Sequence, residues 1–232
     1  MVLAPKSRVL IVDDHPVCCS GLEVLVNAQG DLAICGQAGD FRKAKELLEQ
    51  SAPDLMLLDL LVGKTLALEF IREVKTLHRH VCILVISMMD EKTFAARCLR
   101  AGASGFINKS ELGSQLVAAM RIVLSGGIYI SPSSAKTLLH RGGPDSTERS
   151  MEAVLSDREL QIFQMIGIGL KSGEIARRLF VSSRTIHAHK AHIRNKLGLG
   201  TAAELAVRAS GWVSQRMPEL ATAPAGSELQ AS

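Results

Sequence analysis

Within the first 125 residues, short aliphatic runs alternate with stretches of helical apolar spacing, and most of the runs stop on a polar residue. Arg8–Val12 is a buried-strand run that ends at Asp13-Asp14, and Pro16–Ala28 then carries apolar residues at helical spacing. Leu32–Gly36 reads as a second, weaker strand, and Phe41–Gln50 as a helix with Ala44, Leu47 and Leu48 on one face. Leu55–Leu58 ends at Asp59, Leu66–Leu77 is helical, and the β-branched run Val81–Ile86 ends at Ser87. Thr93–Ala101, Gly105–Asn108 and Leu112–Ser125 complete the series, with Lys109 directly after the last strand. Five successive β–α units leave little choice of architecture. A helical crossover between successive strands makes them parallel, and a parallel sheet must be covered on both faces. The expectation is an α/β, doubly wound, five-stranded parallel sheet.

After Ser125 the pattern changes. Gly126-Gly127, Ser131-Pro132-Ser133-Ser134 and Arg141-Gly142-Gly143-Pro144 are rich in breakers, and from Leu155 the periodicity is helical only. The 232 residues therefore divide into a first domain over 1–128, a linker over 129–151, an all-α domain over 152–214 and an Ala/Pro/Ser-rich tail over 215–232. The linker has room for one short helix from Ser134 to His140, and the tail is expected to be unstructured. Charge follows the same division. Residues 1–150 carry 17 Lys/Arg against 16 Asp/Glu, whereas residues 151–216 carry 10 against 5. A localised positive excess attracts a polyanion, although a solvated basic surface has the same composition.

In an open parallel sheet, ligands bind outside the carboxyl ends of the strands. Asp13, Asp14, Asp59, Ser87 and Lys109 all fall at such ends. Each Asp alone is most simply a helix cap or a turn residue. The joint pattern says more, because three carboxylates brought into one crevice repel unless a cation sits among them. Oxygen-only ligands favour Mg²⁺. Lys109 can then pair with an anion held against the metal, and an Asp carboxylate is a competent phosphoryl acceptor. Gly63-Lys64-Thr65 resembles the end of a phosphate-binding loop. Leu58 stands where that loop needs its first glycine, which excludes the motif.

The second domain opens with a capping box, Ser156 and Glu159, followed by Leu160, Phe163 and Ile166-Gly167. Gly169 and Ser172-Gly173 read as a break. Glu174–Phe180 is a second helix, buried through Ile175, Ala176 and Leu179, and Val181 is a tight turn. Ser182 or Ser183 caps a third helix that runs to Leu197, with Ile186, Ile193 and Leu197 on its apolar face and a cationic surface elsewhere. Gly198 stops it, and Thr201–Val213 is a fourth. A short helix, a tight turn and a basic helix can lay that last helix in the DNA major groove. A plain bundle with a solvated basic face fits the same pattern. His187, His189 and His192 do not share one helical face, which argues against a metal site.

Val12–Pro16, Pro53–Leu60, Val85–Met88 and Gly102–Ser110 resemble the signature blocks of response-regulator receiver domains, which have a flavodoxin-like fold. Leu155–Glu159, Glu174–Leu179 and Ser183–Gly198 resemble the LuxR-type helix-turn-helix, and the two together resemble the NarL/FixJ type of two-component response regulator. The resemblance implies that Asp59 accepts a phosphoryl group from a sensor histidine kinase. Asp13, Asp14, Asp59 and the backbone carbonyl of Leu61 would hold Mg²⁺, and Lys109 would contact the phosphoryl oxygens. Ser87 and Phe106 would form the switch pair. It also implies that Thr185, Lys190 and Lys196 lie near DNA phosphates, that His187, Ala188 and Ala191 face base edges, and that Arg184 and Arg194 belong to the same double-stranded DNA-binding set. The fourth helix is similar to the family's dimerisation surface, so the active form would be a homodimer. One departure is plain. After Asp59 the family usually reads Met-Pro-Gly, and this chain reads Leu60-Leu61-Val62-Gly63-Lys64-Thr65. That departure motivates a rival in which the receiver serves only for dimerisation or ligand sensing. An aspartyl-phosphate phosphatase would need a second Asp where Leu61 stands. The chain is thus expected to be a regulator and not an enzyme. Five cysteines without a CxxC pair suit reduced thiols. No signal peptide or membrane span is read, and the expected location is the cytoplasm.

Overall fold

The computed structural model describes residues 5–132, 134–135 and 154–216. They group into two compact units divided between Asp145 and Ser146. The first unit runs β1 (Ser7–Val12), α1 (Pro16–Asn27), β2 (Leu32–Ala38), α2 (Phe41–Ser51) and β3 (Leu55–Asp59). It continues with β4 (Leu61–Val62), β5 (Thr65–Leu66), α3 (Leu68–Leu77), β6 (Cys82–Ser87), α4 (Glu91–Ala101), β7 (Gly105–Asn108) and α5 (Leu112–Leu124). A single 3₁₀ turn, Lys109–Glu111, joins the last two.

Five strands form one sheet in the order β2-β1-β3-β6-β7, and every neighbouring pair is parallel. Val9 to Val12 are all fully buried, because a parallel sheet covered on both faces hides each residue whichever way it points. One face packs Val9, Ile11, Leu55, Leu57, Leu84 and Ile86 against Leu22 and Val26 of α1 and Leu116 and Met120 of α5. On the other face Leu10 and Leu47 of α2 close over Gly36, where an added Cβ would stand 3.1–3.3 Å from their methyls. The chain reverses its direction of winding between β1 and β3. That is where such sheets open a crevice at the strand ends.

The segment after Asp59 departs from expectation. Helix α3 begins at Leu68, not Leu66, because Leu61–Val62 folds back on Thr65–Leu66 as an antiparallel hairpin. Gly63 turns the corner at φ +60°, a left-handed conformation that a Cβ disfavours. The apolar residues Leu61, Val62 and Leu66 are buried, so this loop is pinned by packing. Strand β2 also extends to Ala38, past the expected Gly36.

The second unit holds α6 (Asp157–Gly167), α7 (Ser172–Arg178), α8 (Ser183–Leu197) and α9 (Ala202–Arg216). Both halves of the capping box form: the Glu159 amide donates to Ser156 Oγ at 3.2 Å and the Ser156 amide to Glu159 Oε2 at 2.8 Å. Ser172-Gly173 does not break the chain, as expected from its composition, but opens α7. That helix stops at Arg178, ahead of the expected Phe180, which takes a left-handed φ of +53°. Ser182, not Ser183, caps α8, and Gly198 ends it at φ +67°. Phe163 and Trp212 meet edge to face at 5.9 Å in a core that includes Ile175, Ile186, Ile193 and Leu205. The linker helix expected over 134–140 lies outside the described residues from 136 onward, and the expected tail does so from 217 onward. Among the described residues no helix is long and apolar enough to cross a membrane.

Candidate functional site

Strands β1 and β3 deliver Asp13 and Asp59 to the same crevice, and the turn after β7 delivers Lys109. The Lys109 ammonium lies between the two carboxylates, 2.8 Å from Asp13 Oδ2 and 2.7 Å from Asp59 Oδ2. All three side chains are nearly sealed from solvent, at 2%, 6% and 10% exposure for Asp13, Asp59 and Lys109. Asp14 stands more open at the rim. Burial pushes the Asp59 carboxyl up to about 6, against the pull of the neighbouring ammonium. Burial also acts to lower the pKa of Lys109, but the Asp59 and Asp13 carboxylates outweigh it and hold the ammonium protonated.

The backbone completes the frame. The Leu61 amide donates to Asp59 Oδ1 at 3.1 Å, which orients the Asp59 carboxylate and ties the hairpin to it. Ser87 ends β6 fully buried, its Oγ accepting from the Met89 amide at 3.1 Å. Phe106 on β7 is also fully buried. The crevice thus gathers Asp13, Asp14, Asp59 and Lys109, as the strand-end pattern implies, and Ser87 and Phe106 occupy the adjacent strands β6 and β7.

Two neighbours were not legible as site residues. His15 Nδ1 lies 3.0 Å from Asp13 Oδ1, 3.2 Å from Asp14 Oδ1 and 4.0 Å from Asp59 Oδ2. The ligand atoms of these four residues all fall within 4.8 Å of one another. The Cys19 thiol donates to the Asp13 carbonyl at 3.3 Å. The only signal for either was proximity in sequence to Asp13-Asp14.

In the second unit, Arg184, His187, Ala188 and Ala191 follow the i, i+3, i+4, i+7 spacing of a single helical face. The first three are exposed and Ala191 is half-buried. The other proposed contacts have partners within the domain. Lys196 Nζ lies 2.6 Å from Glu159 Oε2, Lys190 Nζ donates to Ser172 Oγ at 2.7 Å, and Arg194 donates to the Gly200 carbonyl at 3.4 Å. Thr185 Oγ1 sits 2.9 Å from Ser182 Oγ. His187, Lys190 and Arg194 also border a cleft of about 540 Å³ floored by Ile166, Leu170 and Leu205.

The response regulator receiver domain family matches residues 9–121, and the luxR family of bacterial regulatory proteins matches residues 153–209. The chain belongs to the response regulators with a LuxR-type DNA-binding domain. A Pseudomonas aeruginosa relative is 36% identical over 199 residues, 86% of this chain and 95% of its own length. The oxygen regulatory protein NreC of Staphylococcus carnosus is 32% identical over 85% of this chain and 94% of its own. The fimbriae Z protein of Salmonella typhimurium is 32% identical over 86% and 94%. Among solved structures, a LuxR-family two-component response regulator from Aurantimonas sp. SI85-9A1 is 28% identical with a TM-score of 0.55, covering 59% of this chain and 98% of that one. The RcsB response regulator of Salmonella typhimurium shares the fold with a TM-score of 0.70 at 21% identity, over 90% and 98%. The regulator therefore joins a receiver domain with an acidic pocket to a DNA-binding domain. It controls transcription and is not an enzyme.

Proposed function

We propose that Asp59 of this regulator accepts a phosphoryl group from a sensor histidine kinase, and that the phosphorylated protein binds paired DNA half-sites as a homodimer in the cytoplasm. The observation that carries this reading is the Lys109 ammonium shared by Asp13 and Asp59 at the sheet's switch point. A buried cation already aimed at the acceptor is ready to neutralise an incoming anion. In the transfer, an Asp59 carboxylate oxygen bonds to phosphorus as the bond from phosphorus to the kinase imidazole nitrogen breaks, and that nitrogen regains a proton. Lys109 exchanges a carboxylate oxygen for a phosphoryl oxygen. Asp13, Asp14, Asp59 and the Leu61 carbonyl would hold Mg²⁺, whose charge offsets that of the phosphoryl group. Ser87 Oγ then trades the Met89 amide for a phosphoryl oxygen, and Phe106 repacks with it.

In the DNA-binding domain, Thr185, Lys190 and Lys196 would take phosphates, with His187, Ala188 and Ala191 towards base edges and Arg184 and Arg194 beside them. Lys190, Arg194 and Lys196 would exchange their internal partners for DNA. Two of the three base-facing residues are alanines, so methyl contacts and DNA shape would carry much of the readout. The working division is a receiver over 1–128, a linker over 129–151, a DNA-binding domain over 152–214 and a tail over 215–232.

The test is DNA affinity, on a site selected from a random pool, for the wild type and Asp59→Asn with and without acetyl phosphate and Mg²⁺. The donor should tighten wild-type binding about tenfold, within the usual range of coupling between sites, and leave Asp59→Asn unchanged. An equal response of both proteins refutes Asp59 as acceptor. A wild type indifferent to the donor would favour the rival reading, for which the buried hairpin after Asp59 is the structural motive.

A further inference from the structure

We infer that His15 is a direct ligand of the divalent ion in the Asp13–Asp14–Asp59 pocket and biases that pocket towards a borderline transition ion over Mg²⁺. The inference rests on the metal reading of the pocket proposed above and adds to it a nitrogen donor.

His15 precedes Pro16, the first residue of α1, and keeps an extended backbone at φ −100°, ψ 106°. This conformation turns its ring back over the strand ends. The His15 amide donates to Asp13 Oδ1 at 2.8 Å, which holds the residue in place. Its Nδ1 then stands 3.0 Å from Asp13 Oδ1, 3.2 Å from Asp14 Oδ1 and 4.0 Å from Asp59 Oδ2. An octahedral ion with bonds of about 2.1 Å separates adjacent ligand atoms by about 3.0 Å and opposite ones by about 4.2 Å. The two short separations match adjacent edges of such an octahedron, and the long one approaches an axis. The imidazole is 59% exposed, so a hydrated ion can reach it.

Chemistry then sets the preference. Three carboxylates alone suit Mg²⁺. An imidazole nitrogen adds little for that hard ion but strengthens binding of Fe²⁺, Co²⁺, Ni²⁺ or Zn²⁺. The same distances also suit a hydrogen-bonded imidazole that competes with any cation. The two arrangements predict opposite responses to removing the ring.

The experiment titrates the full chain with Co²⁺ and separately with Mg²⁺ by calorimetry, for the wild type, His15→Ala and His15→Gln. The expected result is a loss of Co²⁺ affinity of about tenfold or more in both variants, with Mg²⁺ affinity changed less than about twofold. The Co²⁺-loaded wild type should also show a hyperfine-shifted, solvent-exchangeable imidazole N–H proton resonance that both variants lack. Equal loss for the two ions, or tighter binding of both in the variants, overturns the inference and leaves the pocket's metal reading standing. A wild type that binds neither ion overturns both.

Discussion

Glu159 shows how one side chain serves two ends of a domain. Its backbone and carboxylate form the capping box with Ser156, and the same carboxylate reaches Lys196, near the end of α8. Burial acts to raise its pKa, but the hydrogen bonds from Lys196 and Ser156 outweigh that and hold it below the ordinary glutamate value. The folded domain therefore binds fewer protons here than the unfolded chain. The resulting stability is fully present above the ordinary glutamate value and is lost as pH falls through the lowered one. Glu159→Gln should cost about 1–2 kcal/mol at neutral pH, measured by urea unfolding. The gap from wild type should close as the titration enters acid. A gap that stays constant down to the limit of the fold would mean that charge has no part in it. In the receiver the sign differs. The Asp59 carboxyl is raised to about 6, so its ionised form costs stability above that pH.

At the scale of elements, the seam between α6 and α9 has no room to spare. A Cβ on Gly167 would lie 2.5 Å from the Ala209 carbonyl oxygen and 2.5 Å from a Val213 methyl. Gly167→Ala must push α9 outward and should destabilise the domain by about 2 kcal/mol. Gly211 lies within α9, and nothing stands within 4 Å of its Cβ position. Gly211→Ala should stabilise by about 0.5–1 kcal/mol, the ordinary gain in a helix interior. Circular dichroism in urea separates the two. Equal effects would refute the close seam. The helices themselves were legible from apolar spacing and caps, including the Ser156 box. The β4–β5 hairpin was not, since two-residue strands leave no periodicity to read. Nor was the start of α7, because Ser172-Gly173 looks like a breaker until Glu174 reaches back to the Lys171 amide at 2.7 Å.

For the molecule as a whole, each unit has its own core, and the single tryptophan, Trp212, lies in the second. Its fluorescence therefore reports unfolding of the DNA-binding domain, while circular dichroism follows both units. With Asp59 as phosphoryl acceptor, as proposed, Mg²⁺ with beryllofluoride should bind the folded receiver and raise its melting temperature by mass action. The Trp212 transition should not move. A parallel shift in Trp212 fluorescence would show that the two units unfold as one.

The chain's local patterns were enough to determine the five β–α units, the four helices that follow, and the acids and the lysine at the strand ends. Each is written within a few residues of itself, in periodicity and in caps. Which side chains then share a crevice was decided by tertiary structure. Lys109 meets Asp13 across 96 residues, and Lys196 meets Glu159 across 37. Strand order brings the first pair together and helix packing the second. Neither leaves a trace in spacing along the chain, and for that reason His15 over the pocket and the buried hairpin beside Asp59 emerged only from the fold.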